Sequence, residues 1–125
     1  MKVIKLAWVG TRTDAAAGTA DFFRDVLGLR SDQVAPDFWV LTMPDGGKVE
    51  VFGPQSIVNR HFTTGPVAGF LVDDVPAAAL ELRAAGVEIL LESDVDLSGN
   101  AWCHFRAPDG NIYEVTQDPG VARPG

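Results

Sequence analysis

The chain is poor in the residues that make several kinds of protein. It has one cysteine, Cys103, which allows neither an internal disulfide nor a cysteine-based zinc cluster. No apolar run approaches the roughly 20 residues needed to cross a bilayer, so no membrane partner is expected. Basic residues are scarce: ten Lys and Arg stand against seventeen Asp and Glu, for a net charge of −7. Phosphate backbones require a basic surface, so nucleic acid is not an expected partner either. The opening residues, "MKVIKLAWVG", lack the long apolar stretch and small-residue cleavage site of a signal peptide, and a cytoplasmic location is the default expectation. No segment is low in complexity, and 46% of the 125 residues are hydrophobic, which suits one compact domain.

What is present is written twice. "PDGGKVEV" (44–51) and "PDGNIYEV" (108–115) share a Pro-Asp-Gly turn, a following strand and a glutamate six residues after the proline, Glu50 and Glu114. The order before each turn repeats as well. "KVIKLAWVG" predicts a strand, and "AAAGTADFFRDVLG" a helix capped by Asp14, with Phe23, Val26 and Leu27 as its apolar stripe and Gly28 as its end. "LRSDQVAPD" predicts a weak strand or loop, and "FWVLTM" and "KVEVF" a hairpin. The second copy runs from the strand "VAGFLV" through a helix capped at Asp73 or Asp74, with Pro76 in its first turn and Gly86 after its end. It closes with the strand "VEILLE" and the hairpin "AWCHFR"/"NIYEVT". The expected fold is therefore α+β. Two tandem βαβββ modules form a curved, partly open mixed sheet around a cavity, with one helix outside each module. A single domain is expected over 1–118, with module 1 at about 2–53, a linker at about 54–66, module 2 at about 67–118 and a loose tail at 119–125.

Strand side chains alternate, which sorts the candidates by face. Val49, Val51, Tyr113 and Val115 belong against the helices, and Glu50 and Glu114 on the opposite face. Trp8, Phe52 and Trp102 share the glutamates' parity, whereas Trp39 does not. On "AWCHFR", Cys103 and Phe105 should pack under a helix, leaving Trp102, His104 and Arg106 on the other side. One hairpin register sets His104 across from Glu114, and a slip of one residue sets Tyr113 near it instead. Arg12 shares Trp8's parity and, like Arg106, is suited to holding a ligand's carboxylate or phosphate. His61, in "NRHFTT", reads as an exposed loop residue.

"DFFRDVLGL" after a strand, "FLVDDVPAAALELRAAGVEI" and "FRAPDGNIYEV" resemble the vicinal oxygen chelate superfamily. That group holds glyoxalase I, extradiol dioxygenases, fosfomycin-resistance enzymes and bleomycin-resistance proteins. The resemblance implies four positions for a divalent ion, falling here on Trp8, Glu50, Val67 and Glu114. Family members place His or Gln at the first and His at the third, and Trp8 and Val67 cannot ligate. No metal cofactor is therefore expected, and any divalent ion would rest on Glu50 and Glu114.

The resulting expectation is a binder of a small aromatic or cationic molecule, with Trp8, Phe52, Trp102, Arg12 and Arg106 as ligand-facing residues. The alternative is a glyoxalase-like lyase or isomerase, or a dioxygenase-like enzyme, with Glu50, Glu114 and His104 as catalytic groups and with or without a metal. A purely structural domain remains if the cavity is filled. Uncovered apolar sheet surface makes a homodimer the expected assembly.

Overall fold

The computed structural model describes residues 1–63 and 66–120. Thr64 and Gly65 of the expected linker, and the tail beyond Gly120, lie outside the described residues. Among the described residues, eight strands and two helices give an α+β fold in the order β1 (Val3–Arg12), α1 (Ala16–Asp25), β2 (Arg30–Ala35), β3 (Phe38–Thr42), β4 (Lys48–Phe52), β5 (Val67–Val72), α2 (Val75–Ala84), β6 (Ile89–Glu92), β7 (Ala101–Arg106) and β8 (Ile112–Gln117). The chain groups into two compact units, Trp8–Val67 and a second made of Met1–Ala7 with Ala68–Gly125.

In the Trp8–Val67 unit the strands run β2-β3-β4-β1, antiparallel across the first three and parallel between β4 and β1. One face of this sheet meets α1 through Ala16, Leu41 and Val51, with Phe23, Leu29, Trp39 and Val49 packed around them. The helix differs in detail from its sequence pattern. It starts after Ala15, not Asp14, with no side-chain cap, and Thr13 Oγ1 accepts the Ala15 N–H at 3.1 Å. Its inward stripe is the buried Ala16 and Ala20 with a half-buried Phe23, while Val26 and Leu27 are exposed. The reason is length: the helix stops at Asp25, so Val26 and Leu27 leave its axis before they can continue the stripe.

The other unit orders its strands β5-β8-β7-β6, with β5 parallel to β8 and the rest antiparallel. Here the helix cap follows the sequence: Asp74 Oδ1 accepts the Ala77 N–H at 3.0 Å, and Pro76 occupies the first turn. The core under α2 gathers Val72, Val75, Ala78, Ala79, Ala101, Cys103 and Val115, joined by Phe70, Leu82, Ile89 and Phe105.

The two Pro-Asp-Gly turns are built alike. The aspartate Oδ1 accepts the N–H two residues on, Gly47 at 2.8 Å and Asn111 at 2.9 Å. The third residue of each, Gly46 and Gly110, has φ of 86°, where glycine carries no steric cost. Gly10 is constrained differently. A Cβ there would lie 2.6 Å from the Glu50 carbonyl oxygen across the β1–β4 pairing, and backbone in a ladder cannot yield. Gly10→Ala is expected to cost about 2–3 kcal/mol, a typical overpacking loss. Urea denaturation measures it, and a loss under ~0.5 kcal/mol would show that β1 shifts freely.

Candidate functional site

The β7–β8 hairpin takes the register that sets His104 directly opposite Glu114. His104 Nε2 and Glu114 Oε1 lie 2.9 Å apart. A carboxylate only accepts, so the imidazole donates from Nε2, and in the neutral ring the lone pair then falls on Nδ1. Both groups are buried, His104 at 1% and Glu114 at 8% exposure. What little of the pair reaches the surface belongs to Glu114. Two polar groups so withdrawn from water are sustained by bonding to each other, because desolvation of either alone is costly.

The face that carries them is defined by its neighbours. Ala101, Cys103, Phe105 and Val115 point to α2, so Trp102, His104, Ile112, Glu114 and Thr116 point the other way. Leu71 of β5, buried and paired with Thr116, lies on this face as well. Trp102, also paired with Thr116, is 36% exposed. An accessible indole thus stands two residues from a buried carboxylate–imidazole pair. Cys103, on the helix side, has no exposure, and burial followed by the Glu92 carboxylate pushes its thiol up to about 11. The thiol is a core group, protonated at neutral pH.

The remaining sequence candidates have other surroundings. Glu50 is half-buried on β4, paired with Val40 and Gly10, on the face away from α1. Trp8 and Phe52 are buried at 6% and 0% in an aromatic cluster with Phe62, whose ring lies 5.6 Å from Trp8 and 5.7 Å from Phe52. They are core residues of their unit, not an open wall. Arg106 pairs with Glu88 at 2.9 Å and donates to the Gly110 carbonyl at 3.0 Å, closing its own hairpin at the surface. His61 is half-buried, not exposed.

Arg12 has the most specific arrangement of all. Its guanidinium donates to the carbonyls of Phe62 (2.6 Å), Gly53 (2.8 Å), Ser56 (3.5 Å) and Asn59, and its Cζ sits 5.4 Å over the Phe52 ring. Burial holds the guanidinium below its ordinary value, and the Asp37 carboxylate opposes that shift. Asp37 helps from the other side, accepting the Gln55 N–H at 2.8 Å through Oδ2. The fork therefore holds the 53–62 segment as a lid on Trp8 and Phe52. Sequence reasoning missed Phe62 because a loop without periodicity carries no pattern. The one usable signal was an aromatic beside His61 within an otherwise polar stretch.

These strand and helix positions match a family model, the glyoxalase/bleomycin resistance protein/dioxygenase superfamily, over residues 5–115. The chain belongs to this superfamily. Solved structures of the same fold include a superfamily member from Vibrio splendidus 12B01, 22% identical with TM-score 0.66, covering 89% of this chain and 97% of that one. A Streptomyces coelicolor methylmalonyl-CoA epimerase in complex with 2-nitronate-propionyl-CoA is 17% identical with TM-score 0.68, covering 95% and 100%. Methylmalonyl-CoA epimerase from Mycobacterium tuberculosis is 18% identical with TM-score 0.68, covering 93% and 89%. At these identities the likeness is one of fold. No curated protein matches the chain by sequence. Among the described residues no helix is long and apolar enough to cross a membrane.

The superfamily's divalent ion does not fit the residues present. Of the four positions that the family resemblance implies, two fall on Trp8 and Val67, which carry no lone-pair donor. Among the described residues no three of His, Cys, Asp and Glu gather as a metal set.

Proposed function

We propose that this superfamily member binds a small aromatic or cationic organic molecule on the sheet face that carries His104, Glu114 and Trp102, without the family's metal set. The observation behind this reading is the His104–Glu114 pair at 2.9 Å, nearly dry, beside a Trp102 that stays accessible. An indole offers a flat face for stacking or for a cation, and the carboxylate offers an acceptor and a charge. Such a combination of apolar area with a few fixed polar groups is what small-ligand sites use. A homodimer is part of the proposal, since Leu6 and Val9 of β1 are left exposed. A cytoplasmic setting is carried as the working context.

Tryptophan fluorescence titrated with aromatic amines tests the reading. Saturable quenching in metal-free protein, lost in Trp102→Phe and weakened about tenfold or more in Glu114→Gln, is the expected result. Quenching that survives Trp102→Phe, or that needs added Zn²⁺ or Mn²⁺, would overturn it.

The same pair supports a second reading, a metal-independent acid/base catalyst. Glu114 would remove a proton from carbon beside a carbonyl, while the His104 N–H fixes the carboxylate through Oε1. The epimerases of the same fold suggest methylmalonyl-CoA as the first compound to try. Deuterium entering its α-position from D2O with wild type, and not with Glu114→Gln, would favour catalysis over binding alone.

A further inference from the structure

The opposite face of the same hairpin holds a concavity. It is an open cleft of about 530 Å³ lined by Phe70, Phe105, Ala107, Pro108, Asp109 and Tyr113. This volume lies within the range of small-molecule sites, roughly 300–1,000 Å³. Its floor is aromatic: the Tyr113 ring lies 6.5 Å from Phe70 and 6.3 Å from Phe105, with tilts of 41° and 32°. All three rings are half-buried, so their outer surfaces belong to the cleft wall. They face α2, away from His104 and Glu114, and the cleft is therefore separate from the site proposed above.

Asp109 supplies its charge. Oδ2 accepts the Tyr113 hydroxyl at 3.1 Å and Asn111 Nδ2 at 3.3 Å, and Oδ1 accepts the Asn111 N–H at 2.9 Å. Every one of these donors is neutral, and among the described residues no cationic side chain pairs with Asp109. Arg106, at the same hairpin, is committed to Glu88 and to the Gly110 carbonyl. The carboxylate is thus positioned by hydrogen bonds while its negative charge is left uncompensated. A tyrosine face next to a fixed anion attracts a cation twice, through the ring quadrupole and through the charge.

We propose that this cleft is a binding site for a small organic cation, an ammonium head with an apolar or aromatic body. The head sits between Asp109 and the Tyr113 ring, and the body lies on Phe70 and Phe105. The chain's net charge of −7 favours the same ligand class by long-range attraction.

Tyr113 is the only tyrosine in the chain. Protein labelled with 3-fluorotyrosine therefore gives one ¹⁹F resonance that reports on this cleft alone. Benzyltrimethylammonium is expected to shift that resonance saturably, with benzyl alcohol and benzoate binding at least several-fold more weakly. Asp109→Asn, which retains the Oδ1 turn contact, is expected to weaken the ammonium about tenfold. Trp102→Phe and Glu114→Gln should leave the titration unchanged, so a failure here is separable from a failure of the inner site. The proposal is overturned if no saturable shift appears, if the alcohol binds equally well, or if Asp109→Asn binds like wild type. A resonance that moves with protein concentration alone would overturn it too, assigning the cleft to a second copy of the chain.

Discussion

Replacing His104 with alanine is expected to lower the unfolding free energy by about 3–5 kcal/mol, the usual range for truncating a large buried ring while a buried acceptor loses its donor. The change removes the imidazole that donates to Glu114 and empties the ring's volume at a position only 1% exposed. Glu114→Gln is expected to be milder, about 1–2 kcal/mol, because an amide oxygen still accepts the Nε2 proton. Urea denaturation of both single variants and the double variant isolates the interaction between them. The double variant should lose clearly less than the sum of the two. Additive losses would mean that the two side chains act independently and that the pair is not a unit. Such a result would also remove the main support for either proposed function.

Arg12→Ala should be about as severe, with a loss of roughly 3–4 kcal/mol. A hydrogen bond from a charged group contributes about 1.5–3 kcal/mol, and bonds in one fork are not additive, so four of them do not multiply that figure. Four carbonyls of the 53–62 segment lose their donor, and Phe52 loses the cation over its ring. Because Phe62 is seated by this fork, Trp8 should also become wetter, and its emission should move to longer wavelength. Arg12→Lys is expected to recover less than half of the loss, since a single ammonium cannot reproduce the planar fork. If Arg12→Ala unfolds like wild type with Trp8 emission unchanged, the segment is held by its aromatic contacts and not by the guanidinium.

Much of the fold was legible in local pattern. The alternation of "NIYEVT" and "AWCHFR" correctly placed Val115, Cys103 and Phe105 under a helix and His104 and Glu114 on the other face. The alternation of "FWVLTM" put Trp39 against α1, as its parity required. The Pro-Asp-Gly turns marked both hairpins, because those residues suit the backbone angles of the turn wherever it occurs. Helix α1 was less legible. Its apolar pattern runs past Asp25, and the contact that settles which residues stay buried, Ala16 and Ala20 against the sheet, is made by small residues with little signal of their own.

The register of the β7–β8 hairpin was not available from the chain alone. Parity cannot tell a His104–Glu114 pairing from a slip, and the choice rests on the turn geometry that Gly110 and Asp109 impose. Arg12 shows the same limit more sharply. As a residue type it serves a ligand's anion or a set of carbonyls equally well. Only the path of residues 53–62 decides that it holds the chain itself.

The outer cleft is further still from anything a linear reading contains. Phe70, Phe105, Asp109 and Tyr113 come from two strands, a turn and a third strand, and each alone reads as packing or as a turn residue. What the sequence determined by itself was therefore the set of elements and their faces, governed by short-range periodicity and turn chemistry, and the family, through the segments that resemble it. Which side chains meet was decided by strand register and loop path, because those depend on contacts between residues far apart in the chain, and such contacts leave no periodic trace.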